Sequence, residues 1–367
     1  MSETSERVDR VREAIRARGL DGLLVTHPSN RVYLTGFTGE DIAPNESSGH
    51  LLITATAATL VTGSVNTTQA ESQAPHIRVI TREGAWSEAD AKVIAESGAK
   101  RIGYESQAML DGVFRGVNEE LEKSALAIAW EPADGIVESF RAVKSPSEVA
   151  LLRRAFEITN AAFERVAPTI QIGDSEWDVS WRIHMAMVEL GAEGPSFPTI
   201  VAAGTHAARP HHEPGKRRIR QGEPIVIDMG ARYQGYCADL TRTVWFGNPD
   251  PTLQEVYPVV AEAVEQVLER IQPGMSGTDM DAAARDFITS RGYGDAFTHG
   301  LGHGVGVRVH EAPSASKQSK DVLAAGNVIT VEPGVYLPDW GGVRVEDVVL
   351  ITEDGIEVLT TASKMQI

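Results

Sequence analysis

Apolar positions along the chain fall into two rhythms. Val8, Val11 and Ile15 recur at helical spacing and Gly19 stops the run, which predicts a helix over residues 5–18. Short apolar bursts then alternate with polar breaks. "DGLLVT" reads as a buried strand, "RVYLTGFTG" as a second one closing in glycines, and "GHLLIT" and "ATLVTG" as a strand pair. "IRVIT" and "RIGYE" read as further strands, and Asp90 to Glu96 as a helix. Such alternation over about 130 residues describes an α/β domain.

The rhythm lengthens around "GIVESFRAVKSPSEVALLRRA". Ser145 and Glu148 form a capping box around Pro146 and open a long amphipathic helix to about Val166. Asp174 or Ser175 caps a second helix ending at Gly191, Thr252 opens a third before Pro273, and Thr278 a fourth ending near Gly292. Strands are predicted at "TIVAAG", "PIVIDMGARYQGYCADLTRTVWF", "VRVHE", "NVITVEPGVYL" and "GGVRVEDVVLIT". Helices interleaved with mostly antiparallel hairpins make an α+β class, and two domains are expected, 1–136 and 137–367.

Two of the hairpins share a plan. "VIDMGARYQGYCADLTRTV" and "TVEPGVYLPDWGGVRVEDVVL" each run an apolar strand into a carboxylate, then a glycine, a turn, and a returning strand with a second carboxylate. The carboxylates are eleven residues apart in one (Asp228, Asp239) and fourteen in the other (Glu332, Glu346). The echo suggests duplicated half-domains related by a pseudo-twofold axis. By strand alternation Asp239 shares a face with Thr241 and Thr243, Glu332 with Thr330, and Glu346 with Arg344, while Leu240, Val331 and Val345 face the other way. Four carboxylates converging without compensation would cost many kcal/mol. Protonation would relieve one or two of them; a pair of divalent cations would neutralise all four.

The histidines sharpen this. Six of the ten lie between His206 and His310. "THGLGHGVGVRVHE" carries His299, His303 and His310 in a run whose glycine density forbids a stable helix and lets the backbone approach a ligand closely. "PHHEP" adds His211 and His212 on a turn-prone segment. His27, His50 and His76 are scattered and read as surface or packing residues.

Bulk composition excludes more than it assigns. At 367 residues with a formal net charge of −17, the chain has no basic block suited to nucleic acid, and "KRRIR" at 216–220 reads as a solvated loop. Cys237 is the single cysteine, so no intrachain disulfide forms, which suits a reducing cytoplasm. The charged N-terminus has no signal-peptide core, and "LLITATAATLV" is too short to span a bilayer, so no membrane association is expected.

These segments resemble the pita-bread metallopeptidases, and among them the proline-specific branch of Xaa-Pro dipeptidases (prolidases) and Xaa-Pro aminopeptidases. The residues that carry the resemblance are "VIDMGARYQGYCADLTRT", "HGLGHGVGVRVHE", "TVEPGVY" and "VRVEDVVLIT". "RVREAIRARGLDGLLVTHPSNRVYLTGFTG" is similar to the opening of creatinase/prolidase N-terminal domains, so the likeness spans nearly the whole chain. Methionine aminopeptidases lack such a domain.

The resemblance implies a pita-bread catalytic domain behind a smaller α/β domain. It implies two divalent metal ions held by Asp228, Asp239, His303, Glu332 and Glu346, with Asp239 and Glu346 bridging. A hard, oxygen-rich ligand set favours Mn²⁺, with Co²⁺, Zn²⁺ or Fe²⁺ as alternatives. A metal-bridging hydroxide would attack the Xaa-Pro bond, Glu332 would carry its proton to the leaving nitrogen, and His211 or His310 would stabilise the oxyanion. His211, His299, His310 and Arg344 match positions around the substrate, although the doublet leaves His211 and His212 interchangeable, and His206 has no counterpart. The expected partner is a short proline-containing peptide, and relatives are commonly homodimers. The short chain favours a dipeptidase over an aminopeptidase. A creatinase-like C–N hydrolase or lyase, or a non-catalytic binding protein, is disfavoured because such relatives lose metal ligands and none is lost here.

Overall fold

The computed structural model describes residues 3–364. The chain forms two compact units, Met1–Arg141 and Ala142–Ile367. The boundary expected after residue 136 lies inside the helix Ile136–Ala142, at whose end the units part.

The first unit is built on a six-stranded mixed sheet in the order Arg78–Thr81, Ala58–Thr62, Gly49–Thr54, Gly22–Val25, Arg101–Tyr104 and Ala129–Pro132. The predicted pair is antiparallel, with Leu51 opposite Leu60, while Gly22–Val25 runs parallel to Arg101–Tyr104. Leu24, Leu52, Ile94, Ile102, Val117 and Leu121 form a buried cluster against it. "RVYLTGFTG" is not a strand. Its first five residues, Arg31 to Thr35, end the helix Pro28–Thr35, which is capped by His27 and stopped by Gly36 at φ 76°, and the rest is loop. Proline at the first helical position and the capping imidazole outweigh the β propensity of Val32 and Tyr33. His50 is a packing residue as expected, buried between Asp90, 2.7 Å from its Nδ1, and the Trp86 ring.

The second unit repeats one arrangement twice. Helices Pro146–Val166 and Glu176–Glu189 pack Ile158, Phe163, Val179 and Ile183 against Ile225, Ile227, Leu240 and Val244 of the first carboxylate hairpin. Helices Pro251–Leu268 and Gly277–Ser290 pack Val256, Val260, Val264 and Met280 against Ile329, Val331, Val343 and Val349 of the second. The capping box at Ser145 forms as read, and Ser175 rather than Asp174 caps the next helix. The third and fourth helices begin earlier than predicted. Asp250 and Ser276, not Thr252 and Thr278, accept from the amides three residues on.

Each hairpin is broken midway. Ile225–Met229 pairs with Leu240–Val244 and, beyond Gly230, Ala231–Tyr233 pairs with Tyr236–Cys237 in a different sheet. A Cβ on Gly230 would stand 1.8 Å from the Ala238 carbonyl oxygen, so only glycine permits this crossing. Gln234 and Gly235 both take positive φ, 46° and 80°, the geometry of a two-residue I′ turn. In the second hairpin Val328–Val331 pairs with Asp347–Ile351, and Gly334–Leu337 pairs with Gly341–Arg344 as a separate ribbon. "VRVHE" is not a strand: the strands there are Gly302–Gly304 and Glu311–Ala315, with 305–310 looping between them. No helix among the described residues is long and apolar enough to cross a membrane.

Candidate metal centre and cavity

The breaks in the hairpins build the site. Asp239, Glu332 and Glu346 sit where the two-sheet crossings free the chain from ladder pairing, and Asp228 faces them from opposite Thr241. The two hairpins are stitched edge to edge. Glu346 N donates to Thr241 O at 3.1 Å, and Thr243 Oγ1 donates to Arg344 O at 2.8 Å. One carboxylate oxygen each from Asp228, Asp239 and Glu346 consequently lies within 4.8 Å of the others, all three side chains buried.

His303 and Glu332 stand beside this trio. Gly302 lies flush against the neighbouring strand, where a Cβ would come 2.1 Å from Thr330 O. His303 N donates to Thr330 Oγ1 at 3.0 Å, and that hydroxyl donates to Glu332 Oε1 at 3.1 Å. His303 Nε2 is 3.1 Å from Glu332 Oε1 and 3.8 Å from Asp239 Oδ2. All five residues read from the sequence as metal ligands thus occupy one cluster.

Charge in the cluster is compensated only in part, by Arg344 and His303. Burial first, and then the neighbouring Glu346, hold the Asp239 carboxyl well above its ordinary range; burial and Glu332 do the same to Glu346. Burial also raises Asp228, despite Arg344 Nη2 at 2.5 Å from its Oδ2. Glu332 goes the other way. Burial pushes it up, but the hydrogen bond and charge of His303 bring it down to about 2. Among the described residues, Asp228 Oδ1 and Glu346 Oε1 are buried with no hydrogen-bond partner. Buried acceptors normally find a donor, and these two oxygens have lone pairs that a cation could use. Four carboxylates and an imidazole are the donor set of a hard divalent metal, and the residues fit such ions.

Around the cluster lies a cavity of about 750 Å³, lined among others by Asp228, Asp239, His303 and Glu332. Phe197, Pro198, Ile200, Pro214 and Val309 give it an apolar wall. Every further residue predicted from the sequence borders it: His211, His299, His310 and Arg344. His310 is exposed and its ring meets that of His303 at 4.2 Å edge-on. Partial burial and the adjacent His303 lower its pKa to about 4, so it is a neutral imidazole at pH 7.

The doublet separates by burial. Both line the cavity, but His211 is exposed there, whereas His212 is buried with Nε2 at 2.9 Å from Glu176 Oε2. His299 donates from Nδ1 to Gly300 O at 2.7 Å, leaving Nε2 to accept from Tyr336 at 2.9 Å. Tyr336 in turn accepts from Arg344 Nη1 at 3.0 Å, and Arg344 also holds Thr241 Oγ1 and Asp228. Nothing in the sequence alone marks Tyr336, although it stands in "TVEPGVY", four residues after Glu332. Nothing in the sequence marks Glu176 either: a glutamate in a first helical turn looks like dipole compensation and nothing more.

Residues 150–353 match the model of metallopeptidase family M24, and residues 7–143 match the creatinase/prolidase N-terminal domain. The chain is similar to a Xaa-Pro dipeptidase of Pyrococcus horikoshii, 35% identical over 99% of both chains. Among solved structures it is similar to a Xaa-Pro dipeptidase from Bacillus anthracis, at a TM-score of 0.91 and 36% identity, covering 100% of this chain and 99% of that one. It is also similar to an X-Pro aminopeptidase from Thermotoga maritima, at a TM-score of 0.84 and 33% identity over 96% of this chain and 99% of that one.

Proposed function

The chain belongs to metallopeptidase family M24, with a creatinase/prolidase N-terminal domain, and from that premise we propose that it hydrolyses Xaa-Pro bonds, as a Xaa-Pro dipeptidase, with two divalent metal ions held by Asp228, Asp239, His303, Glu332 and Glu346. The observation that carries this reading is the convergence of four carboxylates on a cavity, with two buried oxygens lacking any donor. Bound metals supply a Lewis acid for the scissile carbonyl and lower the pKa of water. Mn²⁺ is the proposed occupant because the donors are hard oxygens.

The protein's own groups do the rest. Glu332, held ionised beside His303, is the proton acceptor and later returns that proton to the departing proline nitrogen. His211 and His310, on the cavity wall, are the donors to the developing oxyanion, and His310 serves as a neutral N–H donor. His299, Tyr336 and Arg344 form a hydrogen-bonded chain that orients Asp228. The apolar wall receives the proline ring, whose tertiary amide needs no N–H acceptor. A cavity of about 750 Å³ is roomy for a dipeptide, which keeps a Xaa-Pro aminopeptidase as the second reading. The single buried cysteine suits a cytoplasmic setting, and a homodimer is the proposed assembly by analogy with the family.

The test is hydrolysis of Ala-Pro, Ala-Pro-Ala and Ala-Ala by chelated and Mn²⁺-reconstituted protein, with metal counted by mass spectrometry. Release from Ala-Pro that needs about two metals per chain and spares Ala-Ala supports the proposal. Equal turnover of Ala-Pro-Ala moves the assignment to the aminopeptidase, and full activity after exhaustive chelation defeats it.

A further inference from the structure

A second group of titratable side chains, Glu176, His206 and His212, gathers around the His211 segment, and His212 shares the cavity lining with His211. Glu176 opens the helix Glu176–Glu189 and is completely buried. Its Oε1 accepts from Ala203 N at 2.9 Å and from His206 Nδ1 at 2.9 Å. Its Oε2 accepts from His212 Nε2 at 2.9 Å and Gly215 N at 3.1 Å. These donors come from the end of the strand Ile200–Ala203, the 3-10 turn Gly204–Ala208, and the turn beyond it. One carboxylate therefore pins four points of a thirteen-residue segment, 203–215. His211 stands inside that segment, next to a pinned residue, and Pro210 is tied separately by its carbonyl to Arg344 Nη1 at 3.2 Å.

Glutamate with two histidines is also a metal-ligand combination, and these atoms come within 4.8 Å of one another. The surroundings disfavour a cation. An ionised carboxylate offers about four lone-pair sites, and four donors fill them. Two of those donors are backbone amides that cannot be displaced without unfolding the turn. The carboxylate also lies in the first turn of a helix, where the dipole is positive. Burial pushes Glu176 up, and the Ala203 amide, His212 and the Gly215 amide more than reverse it, so it stays ionised without a metal. Because a carboxylate only accepts, the bonds also fix which ring nitrogens carry protons: Nδ1 of His206 and Nε2 of His212.

We propose that Glu176 is a positioning residue for catalysis, holding the 203–215 segment so that His211 meets the oxyanion in donating geometry. The inference rests on the role given to His211 above. It assigns work to Glu176, His206 and His212, none of which is among the five proposed metal ligands. A misplacement of about 1 Å in a catalytic group can cost on the order of 100-fold, while substrate binding to the apolar wall and the metals is left alone. Loss of the strut is therefore expected in kcat and not in KM.

The experiment uses full-length Mn²⁺-loaded protein and steady-state Ala-Pro hydrolysis. Glu176→Gln places an N–H where the donors need an acceptor, and is expected to lower kcat by about 10-fold or more with KM within about twofold. The same change in a His211→Ala background is expected to cost less than about twofold, since the group it positions is gone. His206→Asn keeps a donor near the Nδ1 position and is expected to retain kcat; His206→Leu is expected to lose it, again only when His211 is present. That pair carries the test if Glu176→Gln fails to fold. Equal losses from Glu176→Gln in both backgrounds would show a merely structural role and overturn the strut while leaving His211 catalytic. An inert His211→Ala would overturn the His211 assignment and the strut with it. A third tightly held metal in the wild type, counted by mass spectrometry and lost in Glu176→Gln, would overturn the strut in favour of a cation site.

Discussion

Replacing Asp239 with asparagine should stabilise the metal-free protein while destroying its response to metal. Oxygens of Asp228, Asp239 and Glu346 lie within 4.8 Å of one another, and two unit charges at that distance repel by about 3.5 kcal/mol at an effective dielectric of 20. Asp239→Asn removes two such repulsions, with Asp228 and with Glu346. The gain is smaller than their sum, because burial and mutual repulsion already hold Asp239 and Glu346 protonated above the ordinary carboxylate range. The sign follows from linkage. The folded apoprotein keeps protons that the unfolded chain has released, so its stability falls as pH rises from the unfolded carboxylate range through the raised folded values. The advantage of Asp239→Asn should therefore grow with pH. At pH 8.5 about 2 kcal/mol is expected, roughly 4–8 °C in Tm for a domain of this size; at pH 5.5 the difference should be smaller. Thermal melts of chelated wild type and variant at both pH values measure it. Added Mn²⁺ should raise the wild-type Tm and leave the variant nearly unmoved. A metal-free variant no more stable than wild type at pH 8.5 would refute the reasoning, since it would mean that the carboxylates do not repel.

Two further outcomes follow from residues outside the cavity. Glu105 in the first unit is buried, and burial raises its pKa to about 7 even though the Asn30 side chain and the Thr26 and His27 amides donate to it; stability should fall by about 3 kcal/mol between pH 4.5 and 7 and level off above, and denaturant melts of Glu105→Gln should lack that fall. Gly230→Ala would force a Cβ to 1.8 Å from Ala238 O; a loss of about 3 kcal/mol or more, or failure to accumulate as folded protein, is expected in urea titrations.

Much of the site was legible because its chemistry is local in sequence. Asp228, Asp239, Glu332 and Glu346 announce themselves as acids next to apolar runs, and His303 as an imidazole inside a glycine run. A buried charge is costly wherever it falls, so such positions carry information without any fold. Alternation correctly puts Glu332 with Thr330, and a hydrogen bond joins them. The capping box at Ser145 is likewise local, and it forms.

What required the tertiary structure is everything set by contacts between distant segments. "RVYLT" has strand composition, yet Pro28 and the His27 cap make it helix. Arg344 sits between the hairpins, reaching Asp228 from 116 residues away. The doublet of His211 and His212 could not be divided by sequence, because the division is made by Glu176, 36 residues from His212 and indistinguishable on its own from any acidic residue at a helix start. Acid and histidine types, and their spacing, were determined by the chain alone. Which nitrogen meets which oxygen was decided by how the two broken hairpins cross, since hydrogen bonds and charge repulsion act over a few ångströms of space and not along the sequence.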